Sequence, residues 1–172
     1  MRLALIFLLF VFPALAQEKA APMAPPPACG PDSVRYVVKL DKLQHTLTEP
    51  GPGKALVYFI QDKGPQSFGI AAAVETRIGI DGAWVGANRN NSYFSVSVEP
   101  GEHHLCSTEQ TIGVPDIELA HFEAAEAGKV YYYRLSIVFT RVGLRFFLNP
   151  LDSDQAKYLI ASYPLSVSQP RK

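Results

Sequence analysis

The sequence predicts an all-β fold, a β-sandwich with one short C-terminal helix. Short runs rich in Val, Ile, Tyr and Phe recur along the chain, and turn signals containing Gly, Pro or Asp-Gly separate them about every ten residues. Residues 93–98 alternate apolar and serine side chains, which is typical of a strand with one buried face. This pattern favours two packed sheets over an α/β fold.

The first 16 residues are predicted to be a signal peptide. Arg2 precedes an unbroken apolar run from Leu3 to Val11, and residues 14–16 read Ala-Leu-Ala, small at the two positions that signal peptidase recognises. The run is shorter than the roughly 20 residues that a membrane-spanning helix needs. We therefore expect a periplasmic or secreted protein with no membrane span after cleavage.

Three further segments are predicted behind the signal peptide. Residues 17–28 form an Ala/Pro-rich leader with nothing to pack. Residues 29–165 form the β-sandwich domain, about the length of one domain. Residues 166–172 form a polar tail with a proline, which we expect to fray.

The first half of the domain contains the clearest strand signals. Residues 34–40 form the first candidate, and residues 55–60 are apolar at both parities, which indicates a central strand covered on both faces. Asp81-Gly82 is a favoured two-residue hairpin turn, and it joins candidates at 77–80 and 84–86.

Pro100-Gly101 is predicted to close a second hairpin, between residues 93–98 and 102–108, with Gly101 at positive φ. In that register Val98 faces His103, and both point inward together with Leu105. His104 and Cys106 then point outward.

Three more strands and one helix complete the predicted elements. The strands cover residues 116–122, 130–139 and 144–148. The helix covers residues 153–161, with Asp152 or Ser153 as its cap and three apolar side chains on one face, namely Ala156, Leu159 and Ile160.

The order of several motifs resembles a bacterial family known only as a domain of unknown function and found in envelope proteins and lipoproteins. The motifs are KALVYF from Lys54, DG with VG at residues 81–86, PGEHHLC from Pro100 and GKVYYYR from Gly128. The resemblance spans about Lys54 to Tyr158, and the DG and PG rhythm is also similar to PEGA-type surface modules. It implies an immunoglobulin-like or prealbumin-like sandwich outside the cytoplasm, and it implies no catalytic residues.

The two cysteines of the domain, Cys29 and Cys106, are predicted to form a structural disulfide. An even count without CxxC spacing indicates a disulfide in an oxidising compartment. The alternative is a metal site in which His104 and Cys106, two apart on one strand, are completed by His121 or His45. The redox state of Cys106 separates the two hypotheses.

The aromatic side chains suggest a binding surface. Tyr131, Tyr132 and Tyr133 are consecutive on one strand, so at least one ring faces away from the core. Trp84 follows a turn and is expected to be partly exposed. Exposed Tyr and Trp suit stacking on sugars or partner proteins, although tyrosines also commonly cover sheet edges with only their hydroxyls in water.

The sequence lacks the signatures of the main catalytic and nucleic-acid-binding classes. It contains no GxSxG, no HExxH and no SxxK ahead of KTG. Its 16 basic and 16 acidic side chains form no basic stripe, so we expect no nucleic-acid partner. We expect a non-enzymatic envelope module without a cofactor that binds a partner protein or a cell-wall glycan. The alternatives are a metal-binding or hydrolytic domain centred on His104, Cys106 and His121, and a purely structural component.

Overall fold

The structure, a computed structural model, describes residues 28–45, 47–62, 74–111, 117–141 and 143–172. The predicted signal peptide and all of the leader except Ala28 lie outside the described residues. Within these ranges the chain forms ten strands and one helix. The strands are β1 Tyr36–Asp41, β2 Ala55–Asp62, β3 Glu75–Ile80, β4 Ala83–Arg89, β5 Ser92–Val98, β6 Gly101–Glu109, β7 Ile117–Ala125, β8 Val130–Thr140, β9 Gly143–Pro150 and β10 Leu165–Pro170. The helix, α1, covers Ser153–Ser162.

Two sheets form the sandwich, which confirms the predicted fold class. One sheet has six strands in the order β1-β10-β5-β2-β8-β9, and the other has four in the order β4-β3-β6-β7. Most neighbouring strands are antiparallel, but β2 pairs in parallel with β8 and β10 pairs in parallel with β5. A parallel pair needs a crossover, and between β2 and β8 the chain builds the whole four-stranded sheet as well as β5 of the six-stranded sheet.

The core lies between the two sheets. Strand β2 contributes Val57 and Phe59 from one sheet, and β3 and β6 contribute Ile78 and Leu105 from the other. All four side chains are fully buried. The alternation predicted for residues 93–98 is confirmed, because Phe94, Val96 and Val98 share this core.

The second face of β2 is also covered, as its apolar sequence predicted. Leu56, Tyr58 and Ile60 point to the other side of the six-stranded sheet, where α1 lies on them. The helix buries Ala156, Leu159 and Ile160, the three residues predicted to share a face. Asp152 is its cap and accepts hydrogen bonds from the backbone N–H groups of Asp154 and Gln155.

The outer face of the four-stranded sheet is covered by residues 28–35, which we call the N-terminal strap. Cys29 is joined to Cys106 by the predicted disulfide, with 5.2 Å between the Cα atoms. The strap lies so close to β3 that a Cβ on Gly79 would be 2.8 Å from the carbonyl oxygen of Ala28. Only glycine fits at this position, and Ala28 belongs to the packed domain.

The predicted hairpin at Asp81-Gly82 is confirmed, and the predicted hairpin at Pro100-Gly101 is wrong. Asp81 and Gly82 have φ values of 50° and 83° and join β3 to β4. Gly101 does have a positive φ, 131°, but β5 belongs to the six-stranded sheet and β6 to the four-stranded one. The turn therefore carries the chain from one sheet to the other, and β6 pairs with β3 and β7 instead of β5.

The prediction of a fraying polar tail is also wrong. Residues 165–170 form β10, which pairs along its whole length with β1. Its serines are ordered because they bond to the backbone of β4: Ser166 Oγ donates to the carbonyl of Ala87, and Ser168 Oγ accepts from the N–H of Ala87. The sandwich therefore extends to Pro170.

Candidate functional site

The three consecutive tyrosines of β8 point alternately to the two faces of the six-stranded sheet. Tyr133 is only 5% exposed and lies in the core between the sheets. Its ring centroid is 6.0 Å from that of Phe59 and 5.8 Å from that of Phe122. Burial raises the pKa of Tyr133, with a smaller contribution from Tyr131. Its ring belongs to the core, so it offers no surface for stacking.

Tyr131 faces the same way as Tyr133 but lies nearer the edge of the core and is half-buried. Its ring meets that of Phe122 edge-on at 4.5 Å. Its hydroxyl donates to the carbonyl of Ala124 and accepts from the N–H of Glu126. Tyr131 therefore fixes the turn between β7 and β8, and part of its ring remains accessible.

Tyr132 points to the opposite face, where α1 lies. Its ring stacks on that of Tyr58, with 5.5 Å between centroids and 25° between planes. Burial, followed by the neighbouring Tyr58, raises the pKa of the Tyr132 phenol. Tyr132 therefore faces away from the core between the sheets, as predicted for at least one of the three rings. It is half-buried, because it packs against the apolar cluster under α1.

A groove opens beside the start of β8, and we call it the tyrosine groove. Strand β9 ends at Pro150, which pairs with Tyr133, so within the described residues Val130 and Tyr131 have a neighbour strand, β2, on one side only. Beyond Pro150 the N–H of Leu151 donates to the carbonyl of Tyr132 at 2.8 Å. The groove has a volume of about 210 Å³, and its lining residues are Val130, Tyr131, Tyr132, Tyr133, Pro150, Leu151 and Ser153.

The lining of the tyrosine groove is mainly apolar and aromatic. Its described lining residues are apolar or aromatic apart from the Ser153 hydroxyl and the backbone, and they include no carboxylate, imidazole or thiol. Such a surface can hold an apolar ligand and align it with a few hydrogen bonds. The sequence identified the tyrosines and missed Pro150, Leu151 and Ser153, whose only signal is the turn leading into the helix cap.

Trp84 lies on β4 in the four-stranded sheet, where it contacts the N-terminal strap. Its indole Nε1 donates to the carbonyl of Pro31 at 2.8 Å. The guanidinium of Arg77 lies 4.2 Å from the centre of its ring, and a Cβ on Gly30 would be 2.5 Å from its Cδ1 atom. Trp84 and the three tyrosines therefore do not form one continuous surface.

The alternative metal-binding or hydrolytic site needs a free thiolate at Cys106, and the disulfide removes it. Cys106 is fully buried and bonded to Cys29. The backbone of His121 pairs with His104, and His45 has its ring nitrogens 2.9 Å from the carbonyl oxygens of Tyr163 and Lys42. Among the residues that the structure describes, no group of three or more His, Cys, Asp or Glu side chains is placed to hold a metal ion.

His103 on β6 bonds to the turn between β3 and β4 and to the connection that follows β5. Its Nδ1 is 2.6 Å from Asp81 Oδ2, and its Nε2 is 2.8 Å from the carbonyl oxygen of Glu99. Burial alone lowers the pKa of His103, but the hydrogen bonds to Asp81 and Glu99 and their charges outweigh it, so the pKa is raised. The sequence predicted that His103 points inward, and it is 8% exposed.

The fold and the groove define a class of protein: a disulfide-tethered β-sandwich with a small aromatic groove at the end of one sheet. Within the described residues, no helix has the length and apolar character needed to cross a membrane.

A family model described as a protein of unknown function, DUF2846, matches residues 52–145, more than half of the chain. The protein belongs to this family, and the predicted resemblance to a domain of unknown function is confirmed at that level. The match covers β2 to the start of β9 and includes the tyrosines and Cys106, but Cys29, α1 and β10 lie outside it. None of the curated proteins compared with the chain matches it.

Proposed function

We propose that the protein is an exported, non-enzymatic module of the bacterial envelope that binds an extended peptide segment of a partner protein in the tyrosine groove. The observation that carries the proposal is the position of the groove, where β9 ends, Leu151 still bonds to Tyr132, and β8 continues over residues 130 and 131 without a neighbour strand on that side among the described residues. An extended peptide can add to such an edge with its backbone and place side chains against the apolar lining.

Export is supported by two independent features. The first 16 residues have the three-part pattern of a signal peptide. The domain contains a disulfide that buries Cys106 completely, and such bonds persist mainly in oxidising compartments outside the cytoplasm. The similarity of the DG and PG motifs to PEGA-type surface modules is consistent with the same location.

A peptide fits the groove better than a cell-wall glycan does. Sugar binding by stacking needs an open aromatic face, and here one face of Tyr132 is occupied by Tyr58 and the ring of Tyr131 packs against Phe122. The groove instead combines a strand edge with apolar side chains, a combination that suits a short extended chain.

The test is an NMR titration of the isotope-labelled protein, purified from the envelope fraction, with two probes: a pool of random apolar heptapeptides and soluble muropeptides. We expect the peptides to shift the amide signals of residues 130–132 and Leu151. Ser153→Trp, which fills the groove, should abolish these shifts, whereas Lys157→Trp, which introduces the same indole on the exposed side of α1, should leave them intact.

Three outcomes would contradict the proposal. Shifts caused only by muropeptides would indicate a glycan-binding module, and shifts located away from the groove would exclude this site. A protein that cannot be recovered from the envelope would contradict export.

A further inference from the structure

Three segments of the chain meet at His103, at the end of the sandwich where the chain passes from one sheet to the other. The first is the turn at Asp81 between β3 and β4. The second is the connection at Glu99 and Pro100, which leaves β5 in the six-stranded sheet. The third is β6 in the four-stranded sheet, which carries His103 itself.

The two bonds of the imidazole ring determine its protonation state. Its Nδ1 is 2.6 Å from a carboxylate oxygen of Asp81, and its Nε2 is 2.8 Å from the carbonyl oxygen of Glu99. Neither a carboxylate nor a carbonyl oxygen can donate a hydrogen bond, so both ring nitrogens must carry a proton. A neutral imidazole has one N–H and satisfies only one of the two acceptors.

Asp81 is fixed independently of this ring. Its second carboxylate oxygen accepts from the backbone N–H of His104 at 2.8 Å, and its own N–H donates to the carbonyl of His104 at 2.9 Å. The β3–β4 turn therefore stays attached to β6 whatever the charge of His103. The bond that depends on the second proton is the one to Glu99, in the connection between the sheets.

The charged groups around His103 favour the cation. Asp81 in the turn and Glu99 in the connection both raise its pKa, while burial opposes them. Glu99 also pairs with Lys54, which precedes β2. On β6, the Glu102 carboxylate is 3.6 Å from His104 Nε2. From β7 the contact is the ring of Phe122, with 6.1 Å between centroids.

We infer that His103 is a doubly protonated clamp that fastens the connection between the two sheets, and that its deprotonation at alkaline pH releases this connection at Glu99. Loss of one proton leaves a nitrogen lone pair facing an acceptor oxygen in a buried place, where an unpaired polar contact is costly. The ring keeps its bond to the Asp81 carboxylate, and residues 99 and 100 become free to move away from β6.

The direction of the pH effect follows from linkage. The pKa of His103 is raised above 6.5 in the folded protein, so its stabilising contribution is complete below about 6.5 and declines as the pH rises through the folded value. Asp81 acts in the opposite direction. Burial raises its pKa, but hydrogen bonds from His104 and His103 outweigh burial and lower it below 3.8, so its contribution declines only in acid.

The experiment is an NMR titration of the His103 ring nitrogens and carbons in the full chain. We expect both nitrogens to be protonated at pH 6, a titration midpoint above 6.5, and faster hydrogen exchange of the Gly101 and Glu102 amides above that midpoint than base catalysis alone explains. In Asp81→Asn, which keeps a residue that tolerates the positive φ of this turn, the midpoint should fall.

His104→Gln is the matched control, because it changes the neighbouring ring and keeps the backbone N–H that bonds to Asp81. Its His103 midpoint should remain above 6.5. A single-tautomer neutral ring at pH 6, or a wild-type midpoint at or below 6.5, would overturn the inference even if Asp81→Asn fails to fold. A midpoint that Asp81→Asn leaves unchanged would do the same. None of these results bears on ligand binding in the tyrosine groove.

Discussion

The outer faces of the two sheets are covered in different ways. On the six-stranded sheet, α1 packs Ala156, Leu159 and Ile160 onto apolar side chains of β2 and β5. On the four-stranded sheet, the N-terminal strap is bonded covalently to Cys106 and lies against Gly79 and Trp84. The helix is held by the burial of apolar surface, and the strap is held mainly by a covalent bond.

The two covers also differ in their polar contacts. Side chains bond to one another at the end of α1, whereas the strap offers backbone carbonyls to β3 and β4. At the end of α1, the Tyr163 hydroxyl donates to Asp62, which also pairs with Arg134 at 2.5 Å. Burial, then the charge of Asp62 and the bond to it, raise the pKa of Tyr163 to about 12. In the strap, Pro31 and Val34 offer only backbone carbonyls, which accept from Trp84 and Arg77.

The difference has an energetic consequence. A helix that buries apolar side chains stabilises the folded state directly, and its loss exposes β2. A short strap with few buried side chains gains little from burial, so the disulfide must supply most of its attachment. It does so largely by restricting the unfolded chain.

Removal of the disulfide is expected to have the largest effect. The bond links residues 77 apart in sequence, and the chain-entropy relation assigns about 4.5 kcal/mol to a loop of that size. Cys29→Ala combined with Cys106→Ala should lower the free energy of unfolding in urea by about that amount. Reduced wild-type protein is the matched control and should behave like the variant. A loss below about 1 kcal/mol would show that the strap is held by its noncovalent contacts instead.

Truncation of a buried side chain of α1 should lower the free energy of unfolding by somewhat less, and it should act through the folded state. Ile160 is 1% exposed under α1, and Ile160→Ala should destabilise the protein by about 3 kcal/mol, because it removes buried methyl groups and leaves a cavity. Tyr158→Ala on the same helix is the control, since Tyr158 is 72% exposed and its loss should change stability by less than about 0.5 kcal/mol. Equal losses in the two variants would show that α1 is not anchored by its apolar face.

The sequence predicted those parts of the fold that depend on local chemistry. Asp152 and the spacing of Ala156, Leu159 and Ile160 predicted α1, and the double-sided apolar run of β2 predicted that both of its faces are covered. The even count of two cysteines without CxxC spacing predicted the disulfide.

Features that depend on distant parts of the chain escaped prediction. Pro100-Gly101 has the same local signals whether the next strand returns beside β5 or crosses to the other sheet, and only pairing with β3 decides between them. The polar sequence of β10 gave no sign that Ser166 and Ser168 would bond to Ala87. The sequence predicted only the tyrosines of the tyrosine groove. The alternation of β8 indicates an outward ring, but it does not indicate where β9 ends.

The smallest expected effect tests whether the two parts of the strap contact depend on each other. Trp84→Phe keeps a ring under Arg77 but removes the Nε1–H that donates to Pro31, and it should cost about 1 kcal/mol in the oxidised protein. In the Cys29→Ala, Cys106→Ala background the same change should cost almost nothing, because without its covalent anchor the strap already spends much of its time away from Trp84. A double-mutant cycle by urea unfolding measures the difference. Additive effects would mean that Trp84 holds Pro31 without help from the disulfide, and the four-stranded sheet would then be covered by contacts as self-sufficient as those of α1.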